Sequence, residues 1–212
     1  MNIRKFNLNK LICFIIICIS CLSFISCNDN DKKTDIIPNT EYTVFPDEMK
    51  GIIKNKNIYI TSIGQDAEMT KFEISTLEKQ SEFTYTIDPF LKANTVEEES
   101  VLFAFVGCSI KALSDSGTTL DDEIKRANEF INLGKEKFIT LIVVHAGGPA
   151  RRGSTSDSLI ELMFSNSDFN IFVESGNFDG FLTDTAKANN VKTYMIQNSL
   201  SLKDVVDKLY GE

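Results

Sequence analysis

Beyond its first 27 residues this sequence is nearly devoid of cysteine, and Cys108 is the only one there. A single cysteine cannot form a disulfide within the remaining chain, so a domain there has to be held together by its core alone. The whole sequence also contains just one histidine, His145. With one histidine and one cysteine a transition-metal site is not expected, and no spacing of acidic residues demands a harder cation. We therefore predict neither a metal nor another cofactor.

The sequence also contains fewer basic than acidic residues. The 212 residues hold 22 Lys and Arg against 30 Asp and Glu, which gives a net charge of −8. Residues 1–26 contain three basic residues and no acidic ones, so without them the net charge is −11. Such a surface argues against nucleic acid as a partner, because binding it depends on clustered positive charge. Any anion that binds here must be attracted by a local positive site, against the overall field.

Three common ligand-binding or catalytic motifs are absent. The sequence has no G-x-G-x-x-G for dinucleotides, no G-x-x-x-x-G-K-[ST] for nucleoside triphosphates and no G-x-S-x-G of the hydrolase type. Cys108 is a candidate nucleophile, but we interpret it as a small buried residue at a strand end. The sequence therefore does not identify a catalysed reaction.

The first 26 residues have the layout of a secretory signal. Arg4, Lys5 and Lys10 make the start positive, and an apolar run follows. That run has about 15 residues, fewer than the roughly 20 that a permanent membrane-spanning helix needs. It ends in Ser26-Cys27 before an abruptly polar stretch, which resembles a bacterial lipoprotein cleavage site with Cys27 as the lipid acceptor.

Two alternatives to this interpretation remain: Cys21 could be the lipidated residue, or the apolar run could stay as an uncleaved anchor helix. In each case the domain would lie outside the cytoplasm, in the cell envelope, attached to a membrane. We predict a lipoprotein signal at residues 1–26, lipidated Cys27 followed by a flexible polar tether to residue 56, and one domain at residues 57–212.

From residue 57 onward, apolar runs typical of strands alternate with segments of helical periodicity. The predicted strands span 58–63, 83–87, 101–106, 139–144, 169–173 and 193–196, and the predicted helices 66–79, from about 120, 156–164, 181–189 and from 201. Thr119 is a candidate cap for the second helix, and Ser201 begins a candidate capping box for the last. This alternation predicts a three-layer α/β sandwich with a doubly wound, mostly parallel sheet of about six strands.

In such sheets ligands bind beyond the carboxyl ends of the strands, where the strand order reverses. Glycines and polar residues concentrate in the loops after strands one, three, four and five. We predict the flavodoxin-like order 2-1-3-4-5-6, because it places the loops after strands one, three and four side by side. The candidate ligand-binding residues in these loops are Ser62, Gly64, Gln65, Ser109, Lys111, His145, Gly147, Gly148, Arg151, Arg152, Asn177 and Asp179.

The loop after the fourth strand is the most informative segment. Gly147 and Gly148 let backbone N–H groups approach a ligand, and Arg151 and Arg152 offer forked donors that match a carboxylate or phosphate. The helix start near Ser154 adds a positive dipole end. Together these features predict an anion site.

Other roles remain open for the same residues. Arg151 and Arg152 could instead form structural ion pairs with nearby carboxylates, namely Asp157, Glu174 or Asp179. His145 could bind a ligand or exchange a proton with a substrate, and it could equally be a structural group at a strand end.

Four motifs occur in order along the body of the chain: Thr61-Ser62-Ile63-Gly64-Gln65, Gly107-x-Ser109-x-Lys111, His145-x-Gly147-Gly148-x-Ala150-Arg151-Arg152-Gly153-x-x-Ser156-Asp157, and Gly176-Asn177-x-Asp179-Gly180-x-x-Thr183. They resemble the signature of a bacterial family known only as a domain of unknown function, often found behind export signals. The resemblance covers about residues 57–210 and implies an α/β sandwich without an established activity. It also implies one site formed by Lys111, His145, Arg151, Arg152, Asn177 and Asp179. A small residue usually stands at Cys108 in that family, which argues against cysteine chemistry.

Three functions are compatible with these observations. The first is a tethered module that binds a small anionic ligand, with a transporter or another protein as a further partner. The alternative is an enzyme acting on a small phosphorylated or carboxylated substrate, with His145 or Asp179 as the acid–base group. The third is an interaction domain that recognises the acidic terminus of a partner protein.

Overall fold

The structure, a computed structural model, describes residues 40–77 and 84–212. The predicted signal, Cys27, its alternative Cys21 and the predicted tether up to residue 39 lie outside the described residues, as does the end of the first predicted helix. Within the described ranges no helix combines the length and apolar character needed to cross a bilayer.

Six parallel strands form one sheet in the order β2-β1-β3-β4-β5-β6. The strands are β1 (Ile58–Ile63), β2 (Tyr85–Ile87), β3 (Ser100–Val106), β4 (Ile139–His145), β5 (Phe169–Val173) and β6 (Lys192–Ile196). All residues of β1, β3 and β5 are buried, as expected for strands covered on both faces. The predicted strand order is confirmed.

Helices cover both faces of the sheet. They are α1 (Glu68–Ser75), α2 (Ile110–Ser116), α3 (Leu120–Lys135), α4 (Ser154–Phe164), α5 (Phe181–Ala188) and α6 (Leu202–Tyr210). One apolar cluster joins the sheet to α1 and α6, through residues such as Phe72 and Val206. A second cluster joins it to α3, α4 and α5, through Phe130, Ile160 and Leu182. The predicted three-layer, doubly wound α/β fold is confirmed.

The residues just before β1 pack onto the domain. Phe45, Met49 and Ile53 are buried in the same cluster as α1 and α6. The ring of Phe45 meets Phe169 and Tyr194 edge-on, with centroid distances of 5.8 and 5.2 Å. The packed residues therefore begin N-terminal to residue 57, where the domain was predicted to start. Thr40–Thr43 and Asp47–Met49 form short 3₁₀ helices in this segment.

Two helix starts differ from the prediction. Helix α2 follows β3 where the sequence suggested only a loop, and it begins with the Ser109 hydroxyl accepting a hydrogen bond from the Ala112 N–H at 3.3 Å. Helix α6 does not begin with a capping box, since Ser201 has helical backbone angles and its side chain caps nothing. Asn198 instead caps a short 3₁₀ turn that leads into α6. Thr119 and Asp122 do form the reciprocal capping bonds at α3.

Candidate functional site

The loops after β1 and β3 meet where the strand order reverses. The Gly107 N–H donates to the Ile63 carbonyl at 3.1 Å, and the Ser109 N–H donates to the Gly64 carbonyl at 3.2 Å. Gly64 has a φ of +85°, and a Cβ there would lie 2.5 Å from the Gly107 carbonyl oxygen. Only glycine fits at this close approach. Two of the loops predicted to form the site are thus in direct contact.

A buried ion pair on α3 holds the loop after β1 in place. Glu123, 2% exposed, accepts hydrogen bonds from the Gly64 N–H at 2.7 Å and from Gln65 Nε2 at 3.2 Å. Arg126 binds Glu123 at 2.6 Å and also donates to Thr61 Oγ1 at 3.0 Å. Gln65 is therefore engaged inside the protein. This pair was not predicted from the sequence, although an acidic residue on the apolar face of a helix indicates a buried partner.

Asp66 is a further residue at this edge, and it was not among the predicted site residues. Its N–H donates to the Ser62 hydroxyl at 2.5 Å, and its Oδ1 accepts from the Glu68 N–H at 3.0 Å. Its Oδ2 is buried against Gly107 and has no hydrogen-bond partner among the described residues. Burial raises the pKa of Asp66 to about 6, and the Glu68 N–H and the charge of Arg151 offset that effect only in part.

His145 ends β4 and is completely buried. Its Nδ1 lies 3.0 Å from the Val106 carbonyl, so Nδ1 carries the hydrogen and Nε2 is left with a lone pair. Nε2 has no partner among the described residues, and it lies beneath Gly176, where a Cβ would approach it to 3.2 Å. Burial lowers the pKa of His145, so the ring is neutral near pH 7.

Arg152 is almost fully enclosed, with 3% of its side chain exposed. Its guanidinium makes five hydrogen bonds, which go to Asp157, Asp179 and the Gly176 carbonyl at 2.5 to 3.4 Å. The rings of Phe178 and Phe181 lie on it, with centroid distances of 5.1 and 4.7 Å. A guanidinium has five N–H donors, so none remains for a ligand. Arg152 is a positioning residue that joins the loops after β4 and β5.

Arg151 is in a different situation. Its side chain is 30% exposed and crosses Gly147, where any Cβ would collide with it. Among the described residues its guanidinium has one polar contact, a loose ion pair in which Nε lies 3.9 Å from Asp66 Oδ1. The terminal nitrogens of Arg151 therefore have donors available for a ligand. We call Arg151, Asp66, Gly107 and Gly147 the Arg151 site.

Asn177 and Asp179 support the loop after β5. Asn177 Oδ1 accepts from the N–H groups of Leu182 and Thr183 at 3.0 and 3.3 Å, at the start of α5. Asp179 binds Arg152 and also accepts from the Phe181 N–H at 3.2 Å. Burial tends to raise the pKa of Asp179, but these hydrogen bonds and the guanidinium charge hold it below its ordinary value. An ionised, paired carboxylate of this kind is a poor proton donor at neutral pH.

The remaining candidates belong to the start of α2. Ser109 caps that helix, and Lys111 extends from it, exposed and without a polar partner in the described ranges. Cys108 is half-buried, and burial followed by the charge of Glu123 raises the pKa of its thiol. A thiol with a raised pKa is a weak nucleophile, because the thiolate is the reactive form.

A cleft also lies at the opposite edge of the sheet, where the strands begin. It has a volume of about 510 Å³ and is lined by Lys56, Lys137 and Lys192. Each of these lysines is bound to a carboxylate, at 3.4, 2.7 and 2.9 Å respectively. Its positive charge is therefore already compensated, in contrast to that of Arg151. In the described ranges, no three His, Cys, Asp or Glu side chains are grouped as a metal site would require.

The chain matches the family model described as "Domain of unknown function (DUF6305)" over residues 55–210. The chain belongs to this family. No curated protein matches it. The DUF6305 region includes all six strands and every loop of the carboxyl edge, so the Arg151 site lies inside it. Membership in this family assigns no activity, and a function has to be argued from the geometry of the edge.

Proposed function

We propose that the domain binds a small anion, a carboxylate or a phosphate, at the carboxyl edge of its sheet, and that Arg151 anchors it. The observation that carries this proposal is the difference between the two arginines. All donors of Arg152 are used within the protein, whereas Arg151 is part-exposed and has only the 3.9 Å contact with Asp66. A guanidinium with available terminal N–H groups is suited to bind a carboxylate or phosphate through two parallel hydrogen bonds.

The electrostatics of the site support a weak ion pair between Arg151 and Asp66, in which an incoming anion can replace Asp66. Asp66 is a poor permanent partner for Arg151, because its carboxyl is buried and burial raises its pKa to about 6. When Asp66 takes up a proton, the charge of Arg151 is left without compensation at that position. Lys111 adds a second exposed positive charge at the start of α2, which follows β3.

We also propose where in the cell the domain lies. The positive start, the short apolar run and Cys27 favour a lipoprotein held in the cell envelope by its lipid, with the domain outside the cytoplasm. A domain with this acidic excess would not be held by anionic lipid, so the lipid anchor would do the tethering. A capture module at a membrane can pass its ligand to a transporter or to another protein.

The test is the thermal unfolding of the purified full-length chain with and without phosphate, sulfate, acetate and succinate. A ligand that binds only the folded state stabilises it by about 2.7 kcal/mol at 100 times its Kd. We expect stabilisation by at least one anion, its loss in Arg151→Ala, and its retention in Lys137→Ala. The Lys137 variant removes one positive charge at the opposite edge and serves as the matched control. Equal stabilisation of all three proteins, or none of the native protein, would contradict the proposal.

An enzyme is the second candidate, and the buried carboxyl of Asp66 is the observation that favours it. A pKa of about 6 suits a group that both gives and takes a proton near neutral pH. The side chain of Asp66 is as buried as that of His145, but it lies beside Arg151, whereas Asp179 is paired with Arg152. Turnover of an anion found in the thermal screen, abolished by Asp66→Asn with binding retained, would favour the enzyme over the binding module.

A further inference from the structure

The carboxyl group of Asp66 is closed off from solvent, and one of its two oxygens makes no hydrogen bond. None of its side chain is exposed. Oδ1 accepts from the Glu68 N–H at 3.0 Å, whereas Oδ2 lies against Gly107 without a hydrogen-bond partner among the described residues. An ionised carboxylate in such surroundings is costly, because burial removes its hydration and one oxygen gains nothing in return. The ionised form of Asp66 therefore depends on nearby positive charge.

Arg151 supplies the positive charge that favours this ionised form. Burial has the largest effect on the pKa of Asp66 and raises it, while the charges of Arg151 and Lys71 lower it and that of Glu68 raises it. Lys71 and Glu68 bind each other on α1 at 2.6 Å, so their effects largely cancel. Arg151 Nε lies 3.9 Å from Asp66 Oδ1, and this is the ion pair that remains.

Charged groups on the other elements around this loop do not take the place of Arg151. On α3, Glu123 and Arg126 bind each other at 2.6 Å. Lys111 on α2 is exposed, so solvent and salt screen its charge. His145 at the end of β4 has a pKa lowered by burial and is neutral near pH 7. The charge state of the buried carboxyl is thus coupled mainly to Arg151.

An anion that binds Arg151 competes with Asp66 for the same guanidinium. It compensates the positive charge that favours the ionised carboxyl, and it adds a negative charge nearby. Both changes disfavour the carboxylate of Asp66 and favour its protonated form. The competition does not require the anion to touch Asp66, because both act on the guanidinium between them.

We propose that an anion binding to Arg151 causes Asp66 to take up a proton from solvent, so that the site binds the anion and the proton together. This rests on the proposed anion binding and names its regulation by pH. The proton forms the O–H bond of the Asp66 carboxyl, and its charge balances one negative charge of the anion. Uptake of both adds less charge than the anion alone, which favours binding to a domain with an acidic excess.

The direction of the pH dependence follows from the two states of Asp66. Its pKa is about 6 in the free domain, and the bound anion raises it further. Below about pH 5 the carboxyl is protonated with and without the anion, so the affinity does not change with pH. Above about pH 6 binding requires proton uptake and weakens. We expect the dissociation constant to rise about three- to tenfold between about pH 6 and 7.

The test is a calorimetric titration of the full-length chain with sulfate and with acetate, neither of which takes up a proton between about pH 6 and 8. Repetition in buffers of different ionisation enthalpy gives the number of protons taken up. We expect about one half to one proton per anion at about pH 7 in the native protein. Asp66→Asn is neutral at every pH, so it should take up none and should bind about three- to tenfold more tightly at about pH 7.

The matched control is Asp115→Asn, which removes an exposed carboxylate on α2. We expect this variant to take up as many protons as the native protein. A second measurement needs no substitution: the ¹³C resonance of the Asp66 carboxyl carbon, followed against pH with and without saturating sulfate. We expect the pKa of Asp66 to be higher with sulfate.

Binding without proton uptake, or a pKa of Asp66 that sulfate leaves unchanged, would overturn the inference and leave the proposed function standing. Proton uptake that Asp66→Asn retains would also overturn it, because another group would then receive the proton. Failure of every carboxylate and every inorganic anion to bind would overturn both proposals.

Discussion

Arg151 and Arg152 are adjacent in the chain, yet their side chains lie in different surroundings. Arg152 is enclosed between two carboxylates and two aromatic rings, and Arg151 lies across Gly147 with part of its side chain in solvent. The sequence predicted that an arginine pair would stand at this edge. It could not say which of the two is consumed internally, because that depends on whether Asp157 and Asp179 approach from other elements.

The enclosed arginine should matter to stability and the part-exposed one should not. Asp157 and Asp179 stay part-exposed when Arg152 is removed, so the main loss is that of the charged hydrogen bonds and the ring contacts of the guanidinium, about 1–3 kcal/mol. We expect Arg152→Ala to lower the free energy of unfolding by about this amount, and Arg151→Ala to lower it by less than about 1 kcal/mol. Urea unfolding measures both, and similar losses in the two variants would contradict the assignment of roles.

Asp66 should make stability depend on pH in a defined direction. Its pKa is raised from 3.8 to about 6 in the folded protein, so it is protonated in both states below about pH 4. Between about pH 4 and 6 the unfolded chain loses the proton first, and the free energy of unfolding falls. Above about pH 6 this loss is complete, at roughly 3 kcal/mol for a shift of about two pKa units.

Asp66→Asn provides the test, because asparagine does not titrate and keeps an acceptor for the Glu68 N–H. We expect the difference in free energy of unfolding between the variant and the native protein to move in favour of the variant as pH rises from 4 to 7. Other titrating groups are common to both proteins and cancel in this difference. A difference that stays constant, or that moves in favour of the native protein, would show that Asp66 is not a destabilising buried carboxylate.

At the scale of the elements, local signals identified most helices and strands but not every terminus. The apolar runs of the six strands predicted their positions to within a few residues. Helix α2 was missed because Leu113 is its only buried side chain, so it shows no apolar periodicity. The capping box predicted at Ser201 has the correct residue types, but Asn198, three residues earlier, caps a 3₁₀ turn that leads into α6. Neither difference is visible without the packing of neighbouring elements.

Two serine or threonine positions with similar sequence signals should therefore respond differently to alanine. Thr119 makes both reciprocal bonds of a capping box with Asp122, whereas Ser201 makes no capping bond. We expect Thr119→Ala to cost about 1 kcal/mol and Ser201→Ala less than about 0.5 kcal/mol. Thermal unfolding of the two variants measures this contrast. A larger loss at Ser201 would mean that α6 begins as the sequence suggested.

At the scale of the whole molecule, the sheet was predictable because parallel strands buried on both faces are apolar throughout, and this chain has several such runs. The strand order followed from where the glycines and polar residues lie. The inclusion of Phe45, Met49 and Ile53 in the core did not follow, because Pro46 and Gly51 interrupt this segment and its polar composition resembles that of a linker. The edge that holds the candidate site was therefore predicted, while the side chains left available there were not.

We expect a small anion to bind at the carboxyl edge of the sheet through Arg151, and not in the lysine-lined cleft at the opposite edge. The most direct test is a nuclear magnetic resonance titration of the ¹⁵N-labelled full-length chain with hexanoate. We expect chemical-shift changes that saturate and that concentrate at Gly64, Gly107, Gly147 and Arg151, with the Arg151 Nε–H among them. Shifts concentrated at Lys56, Lys137 and Lys192, or an unchanged spectrum, would contradict it.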